Sequence, residues 1–248
     1  EFNGLGHSAA IHTKEQAMIQ EVVKICGLDM ATIRLKLSDY LGMGVTFDVE
    51  ENCLDAKITM TSAGTRESFE TVKSYVYNCF NEQVYATEDV ELHVLAAKLL
   101  KRNKKVLAVA ESLTGGEICS RLTSVAGISE NFYEGIVCYN RHSKMDRLNI
   151  PRAFIGEYGT VSKETAHMMV KGLLSPKVDI GLATTGLAGP TGDEGKPVGL
   201  VYIGVGGGEF ITTFERRLSG DRNQIRNATA NLALFYLVRY LRGDILLL

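Results

Sequence analysis

Three residues carry the chemistry this sequence can offer: Ser112, Tyr139 and Lys144. Ser112 closes the apolar run Lys105-Val-Leu-Ala-Val-Ala-Glu111 and precedes Leu113-Thr-Gly-Gly116. A serine hydroxyl becomes a useful nucleophile when a base takes its proton and fixed donors receive the oxyanion it creates. Tyr139-Asn-Arg-His-Ser-Lys144 sets a phenol and an amine five residues apart. One helical turn or a tight loop could bring both back towards the strand end. A lysine can serve as the base once burial or neighbouring cations depress its pKa. Ser–Lys and Ser–Tyr–Lys sites use this logic where histidine is absent. His142 faces the other way on a helical turn and reads as a solvated loop residue. Taken singly, Lys144 reads as a surface cation and Tyr139 as a core aromatic with a wet hydroxyl.

The elements that must position these groups show in the hydrophobic period. Val106–Ala110 reads as a buried strand, and Ile118, Leu122 and Val125 have helical spacing, so the period changes across Ser112. A helix N-terminus there would attract anions, and Gly115 and Gly116 would let a ligand approach the backbone. Thr114-x-x-Glu117 also fits a capping box, the simpler reading of the local pattern. Further strands are expected at Gly135–Tyr139, Asp179–Thr184, Gly199–Gly204 and Glu209–Leu218, and helices from Ser162 to Leu174 and Asn223 to Leu241. Strands alternating with helices imply an α/β sandwich with a largely parallel sheet. Ser112, Tyr139 and Thr185 all fall at carboxyl ends of strands, where ligands collect.

Two more segments fit an anionic ligand. Asp221-x-x-Gln224 is a capping-box pattern that puts Arg222 and Arg226 on one face of a helix's first turns. Cations there oppose the helix dipole, which bound phosphate would reverse; an exposed arginine pair is the alternative. The glycine-rich loop from Gly186 to Gly195 is either a ligand cradle or a turn-rich connection. It lacks the Gly-Lys-Ser/Thr of a P-loop, and no dinucleotide fingerprint or metal-ligand cluster occurs, so no cofactor and no metal are expected.

The front of the chain is different in character. Residues 1–90 carry 7 Lys and Arg against 14 Asp and Glu, whereas the remainder carries 20 against 15. An acidic front repels phosphate backbones, and the mildly basic remainder suits a small anionic ligand. Residues 1–12 read as a linker or remnant and 13–88 as a small α+β domain. In the latter, helical structure over Gln16–Leu41, interrupted near Gly27, precedes a hairpin at Val45–Met60, a helix over Ser68–Phe80 and a strand near Val84: an α-β-β-α-β unit. The main domain then spans 89–248. Five scattered cysteines form no Cys-x-x-Cys pair, and no apolar run is long enough to span a bilayer. A reducing, cytoplasmic setting with no membrane contact is the expectation.

Several segments resemble the C-terminal domain of the competence/damage-inducible CinA proteins, known in stand-alone form as nicotinamide mononucleotide deamidases. They are Ala108-Val-Ala-Glu-Ser-Leu-Thr-Gly-Gly116, Gly127-Ile-Ser129, Tyr139-Asn-Arg-His-Ser-Lys144 and Gly159-Thr-Val-Ser162. Thr185-Gly-Leu-Ala-Gly-Pro190, Lys196-Pro-Val-Gly-Leu-Val-Tyr202 and Gly220-Asp-Arg222 complete the set, in family order over roughly 90–242. The resemblance implies a three-layer α/β/α sandwich with a mostly parallel sheet, and hydrolysis of nicotinamide mononucleotide to nicotinate mononucleotide and ammonia. It implies Ser112 as nucleophile, Tyr139 and Lys144 as activating partners, and Thr185, Arg226 and nearby Arg222 in the site. Thr114, Gly115, Gly116 and Gly186 complete the expected substrate contacts. Lys144 as base and Tyr139 as proton relay is our assignment, with their exchange left open. Residues 13–88 resemble, more weakly, the KH-like middle domain of longer CinA proteins. They lack the Gly-x-x-Gly loop of nucleic-acid KH modules, so a structural or dimerising role is expected, with no nucleic-acid partner and a homodimer. The alternative to an enzyme is a catalytically silent nucleotide-binding or regulatory module.

Overall fold

The structure is a computed structural model and describes residues 18–208 and 210–245. The segment 1–12 lies outside the described residues.

The first unit comprises β1 (Ile19–Cys26), α1 (Met30–Ser38), β2 (Thr46–Asn52), β3 (Asp55–Ser62), α2 (Arg66–Cys79) and β4 (Val84–Ala86). Its antiparallel sheet has the order β2-β3-β1-β4, with both helices packed on one face around Val23, Ile58 and Phe69. The expected helix over 16–41 is therefore a strand followed by a helix, and the unit is β-α-β-β-α-β. Ile19, Val22 and Val23 fit a helical period as well as a strand, but their β-branched side chains and Ile25 favour the pleated form. Gly27, at φ 103°, turns the chain, and Asp29 caps α1 by accepting from the Thr32 N–H at 2.7 Å.

The second unit carries α3 (Leu92–Asn103), β5 (Leu107–Glu111), α4 (Glu117–Thr123), β6 (Phe132–Val137), α5 (Arg141–Leu148), α6 (Arg152–Tyr158) and α7 (Lys163–Leu173). It continues with β7 (Ile180–Gly186), β8 (Leu200–Gly207), β9 (Phe210–Arg217) and α8 (Arg222–Arg242). The sheet order is β6-β5-β7-β8-β9; four strands run in one sense and β8 is reversed. Side chains alternate along the central strand β5. Leu107 and Val109 join Leu182 and Ile203 under α3, α4 and α8, whereas Ala108 and Ala110 face Met169 and Val170 of α7. This is the three-layer sandwich. β6 begins and ends earlier than expected, so Tyr139 stands two residues past it, and β7 runs on through Thr185 and Gly186. Gly186 is thus a strand residue: a Cβ there would lie 2.7 Å from Val201 Cγ1 and 2.8 Å from the Leu200 carbonyl oxygen.

Helix α8 is buried along much of its length because both units pack on it. Asn231 is 5% exposed and donates through Nδ2 to the carbonyls of Asn52 and Cys53 at 3.1 and 2.9 Å. These belong to the β2–β3 turn, where Cys53 and Leu54 both hold positive φ (52° and 69°) without being glycine. Such a turn persists only when its surroundings fix it. Asn231 Oδ1 in turn accepts from Arg121 of α4 at 2.5 Å. Asn231→Ala removes all three bonds, and we expect a loss of about 2 kcal/mol, or a Tm lower by about 4–8 °C, measured by thermal unfolding.

Candidate active site

The site is built on the end of β5. Glu111, the last strand residue, is fully buried, and its side-chain oxygens accept the N–H groups of Gly116 (2.9 Å), Ile118 (3.2 Å) and Cys119 (2.8 Å). It therefore fills the N-terminus of α4 from the strand side, satisfying donors that a helix start leaves open. The capping box does not form: Gly116 is the N-cap, and Glu117 instead pairs with Arg121 at 2.9 Å. Thr114 is buried with its hydroxyl 2.8 Å from that of Thr184. Glu111→Gln would set an amide NH2 against one of those N–H groups. We expect a loss of about 3 kcal/mol, read as a lower Tm, since each bond to a charged group contributes about 1.5–3 kcal/mol.

Ser112 follows, 7% exposed, its N–H donating to the Thr184 carbonyl at 3.0 Å. The Lys144 Nζ stands 2.8 Å from Ser112 Oγ and donates to the Cys138 carbonyl at 3.0 Å. The sequence brings it there through α5, capped by Asn140, whose side chain accepts from the His142 N–H at 2.8 Å. One turn later Lys144 points inward, whereas His142 stays exposed. Lys144 is only 2% exposed and forms no ion pair among the described residues. Burial holds its amine below the ordinary lysine value. A buried amine of lowered pKa beside a serine hydroxyl is placed to accept its proton once deprotonated. Cys138, also buried, has its thiol pushed up by burial and is not a competing nucleophile.

A cavity of about 200 Å³ opens on these groups, lined among others by Ser112, Leu113, Tyr139, Lys144, Gly186 and Arg222. Tyr139 is exposed, and its hydroxyl accepts from Arg222 Nη2 at 2.5 Å, while Arg222 Nη1 donates to the Gly189 carbonyl. The Asp221–Gln224 capping box is present and directs Arg222 to the mouth. Arg226 does not join it there. Its Nε and Nη2 donate to the carbonyls of Leu113 and Thr114, each at 3.0 Å, so it braces the loop that follows Ser112. Thr114, Gly115, Gly116 and Thr185 also lie off the cavity wall; the Thr185 hydroxyl donates to the Thr160 carbonyl at 2.7 Å.

The cavity is also lined by Thr160 and Val161, and by Thr191 and Asp193 of the glycine-rich loop, none of them singled out individually from the sequence. Glu194 fastens this lining, accepting from the Thr160 N–H at 2.9 Å and the Thr160 hydroxyl at 2.9 Å, with Lys196 beside it at 3.4 Å. Burial pushes the Glu194 carboxyl up, but the Thr160 bonds and Lys196 outweigh it and leave it below the usual carboxylate range. Gly159, at φ 78°, makes room, since a Cβ there would collide with the Glu194 carboxylate. Among the described residues no group of three His, Cys, Asp or Glu side chains is placed to hold a metal ion. No described helix is long and apolar enough to cross a membrane.

Residues 89–241 match the model of the CinA C-terminal domain. The chain belongs to the CinA family. A putative competence-damage inducible protein of Clostridium tetani is 35% identical over 234 residues, covering 90% of this chain and 57% of that protein. A CinA-like protein of Fusobacterium nucleatum is 39% identical over 184 residues, 73% of this chain and 45% of its own length. The chain thus spans about half the length of these CinA relatives. Among solved structures, a CinA superfamily protein of Klebsiella pneumoniae superposes with a TM-score of 0.59 at 27% identity, over 61% of this chain and 96% of that one. The competence/damage inducible protein CihA of Agrobacterium tumefaciens gives 0.57 at 32% identity, over 63% and 99%.

Proposed function

We propose that this CinA-family chain is an amidohydrolase that converts nicotinamide mononucleotide and water to nicotinate mononucleotide and ammonia. The observation that carries the reading is the buried Lys144 amine 2.8 Å from the Ser112 hydroxyl. In this mechanism Ser112 Oγ forms a bond to the carboxamide carbon, and its proton passes to Lys144 Nζ. The carbonyl π pair moves onto oxygen; when it returns, the C–N bond breaks and nitrogen leaves as ammonia after taking a proton. Tyr139 fits the relay of that proton, because its oxygen receives a bond from Arg222 and its own O–H remains to donate. Water then cleaves the Ser112 ester with Lys144 as base, releasing the acid.

The cavity size supports a divided substrate. Its volume of about 200 Å³ is below the roughly 300–1,000 Å³ that enclose a whole ligand of drug size. The reacting carboxamide ring would be enclosed, with the ribose phosphate at the mouth beside the exposed Arg222. The test is to incubate the chain with nicotinamide mononucleotide and quantify both products. Equimolar ammonia and nicotinate mononucleotide are expected; binding without either product would instead favour a silent nucleotide-binding module. Homodimerisation and a cytoplasmic location belong to the same proposal.

A further inference from the structure

We infer that the oxyanion formed at Ser112 is received by the backbone N–H of Leu113. This rests on the serine amidohydrolase reading and follows from accounting for every amide between 112 and 119. Ser112 N–H donates to the Thr184 carbonyl, Gly115 N–H to the Ser112 carbonyl, and Glu117 N–H to the Thr114 carbonyl. The N–H groups of Gly116, Ile118 and Cys119 all donate to the Glu111 carboxylate. The N–H of Ser120 is taken by the Gly116 carbonyl. The start of α4, the obvious anion site from the sequence, is therefore occupied by the protein's own carboxylate. Within residues 112–119 only the N–H groups of Leu113 and Thr114 find no acceptor. Thr114 is fully buried and off the cavity wall, whereas Leu113 lines the cavity beside Ser112.

Backbone groups near the interior are nearly always paired, so the free N–H of a residue that lines the cavity next to a nucleophile is a donor available to a ligand. The turn that presents it is fixed at both ends. Gly115 N–H closes it onto the Ser112 carbonyl at 3.2 Å, and Arg226 holds the Leu113 and Thr114 carbonyls. A donor held in this way needs no reorganisation as the carbonyl π pair moves onto oxygen during Ser112 attack. Arg226 and Glu111 thereby become positioning residues for that donor.

The experiment replaces the Leu113 amide by an ester, using the α-hydroxy analogue of leucine in the full chain. A Thr114 ester serves as control, because it weakens a neighbouring carbonyl without removing an N–H on the cavity wall. Two probes are read: turnover of nicotinamide mononucleotide, and acylation of Ser112 by p-nitrophenyl acetate. The Leu113 ester should lower kcat and acylation by about 10²-fold or more, with KM within about twofold. Its Tm should match the Thr114 ester, since it loses no internal bond. Unchanged rates in the Leu113 ester, or an equal fall in the Thr114 ester, would overturn the inference. If wild type is acylated by the ester probe but leaves nicotinamide mononucleotide intact, the substrate reading fails while the donor is still tested. Silence towards both probes overturns the donor with the nucleophile.

Discussion

Ser112→Ala is expected to lower kcat for nicotinamide mononucleotide by about 10⁵-fold while leaving its affinity close to wild type. The effect is large because the substitution removes the bond-forming atom itself, and Lys144 and Tyr139 then have no hydroxyl to serve. Affinity changes little because a single hydroxyl contributes about 1 kcal/mol to binding. The fold should survive: Ser112 holds its neighbours through main-chain bonds to Thr184 and Gly115, which alanine keeps. Calorimetric binding beside product analysis separates the two quantities, and turnover within tenfold of wild type would remove Ser112 from the mechanism.

Lys144→Met is expected to cost about 10³-fold in kcat, the usual weight of a positioned base. Its effect on stability has the opposite sign and depends on pH. Burial lowers the Lys144 pKa in the folded chain, so the unfolded chain holds a proton that the folded chain does not. Wild-type stability therefore rises with pH from the lowered folded value towards about 10.4, the unfolded value. Below that window the buried cation is a full cost; above it the cost disappears. Methionine has no such charge, so the variant's stability relative to wild type should be greatest at the acid end and shrink as pH rises. Denaturant unfolding of both proteins across pH checks this; a constant difference would contradict a buried amine of lowered pKa.

The part of the site written in local sequence was legible. The strand ending at Glu111, the turn after Ser112 and the helical return of Lys144 depend on neighbours a few residues away, and the structure places Lys144 on Ser112. What the sequence did not show depends on distant pairings. Thr160 and Glu194 meet only because the α6–α7 loop and the glycine-rich loop end on the same side of the sheet. The role of Glu111 needed the chain to fold back on itself, although a carboxylate closing an apolar strand just before a helix was a usable signal. Arg226 was expected at the ligand because it shares a helix face with Arg222, and packing instead turned it to the Leu113 and Thr114 carbonyls. In the first unit, the β-branched run of β1 matched two periods at once, and only pairing with β3 and β4 decides between them.

The measurement that tests the central claim most directly is kcat/KM of wild type for nicotinamide mononucleotide across pH, scored by ammonia and nicotinate mononucleotide together. A buried Lys144 acting as base on Ser112 gives a rate that rises with pH through one deprotonation below about 10.4, the ordinary lysine value. No ammonia at any pH, or a rate flat across the whole range, would contradict it.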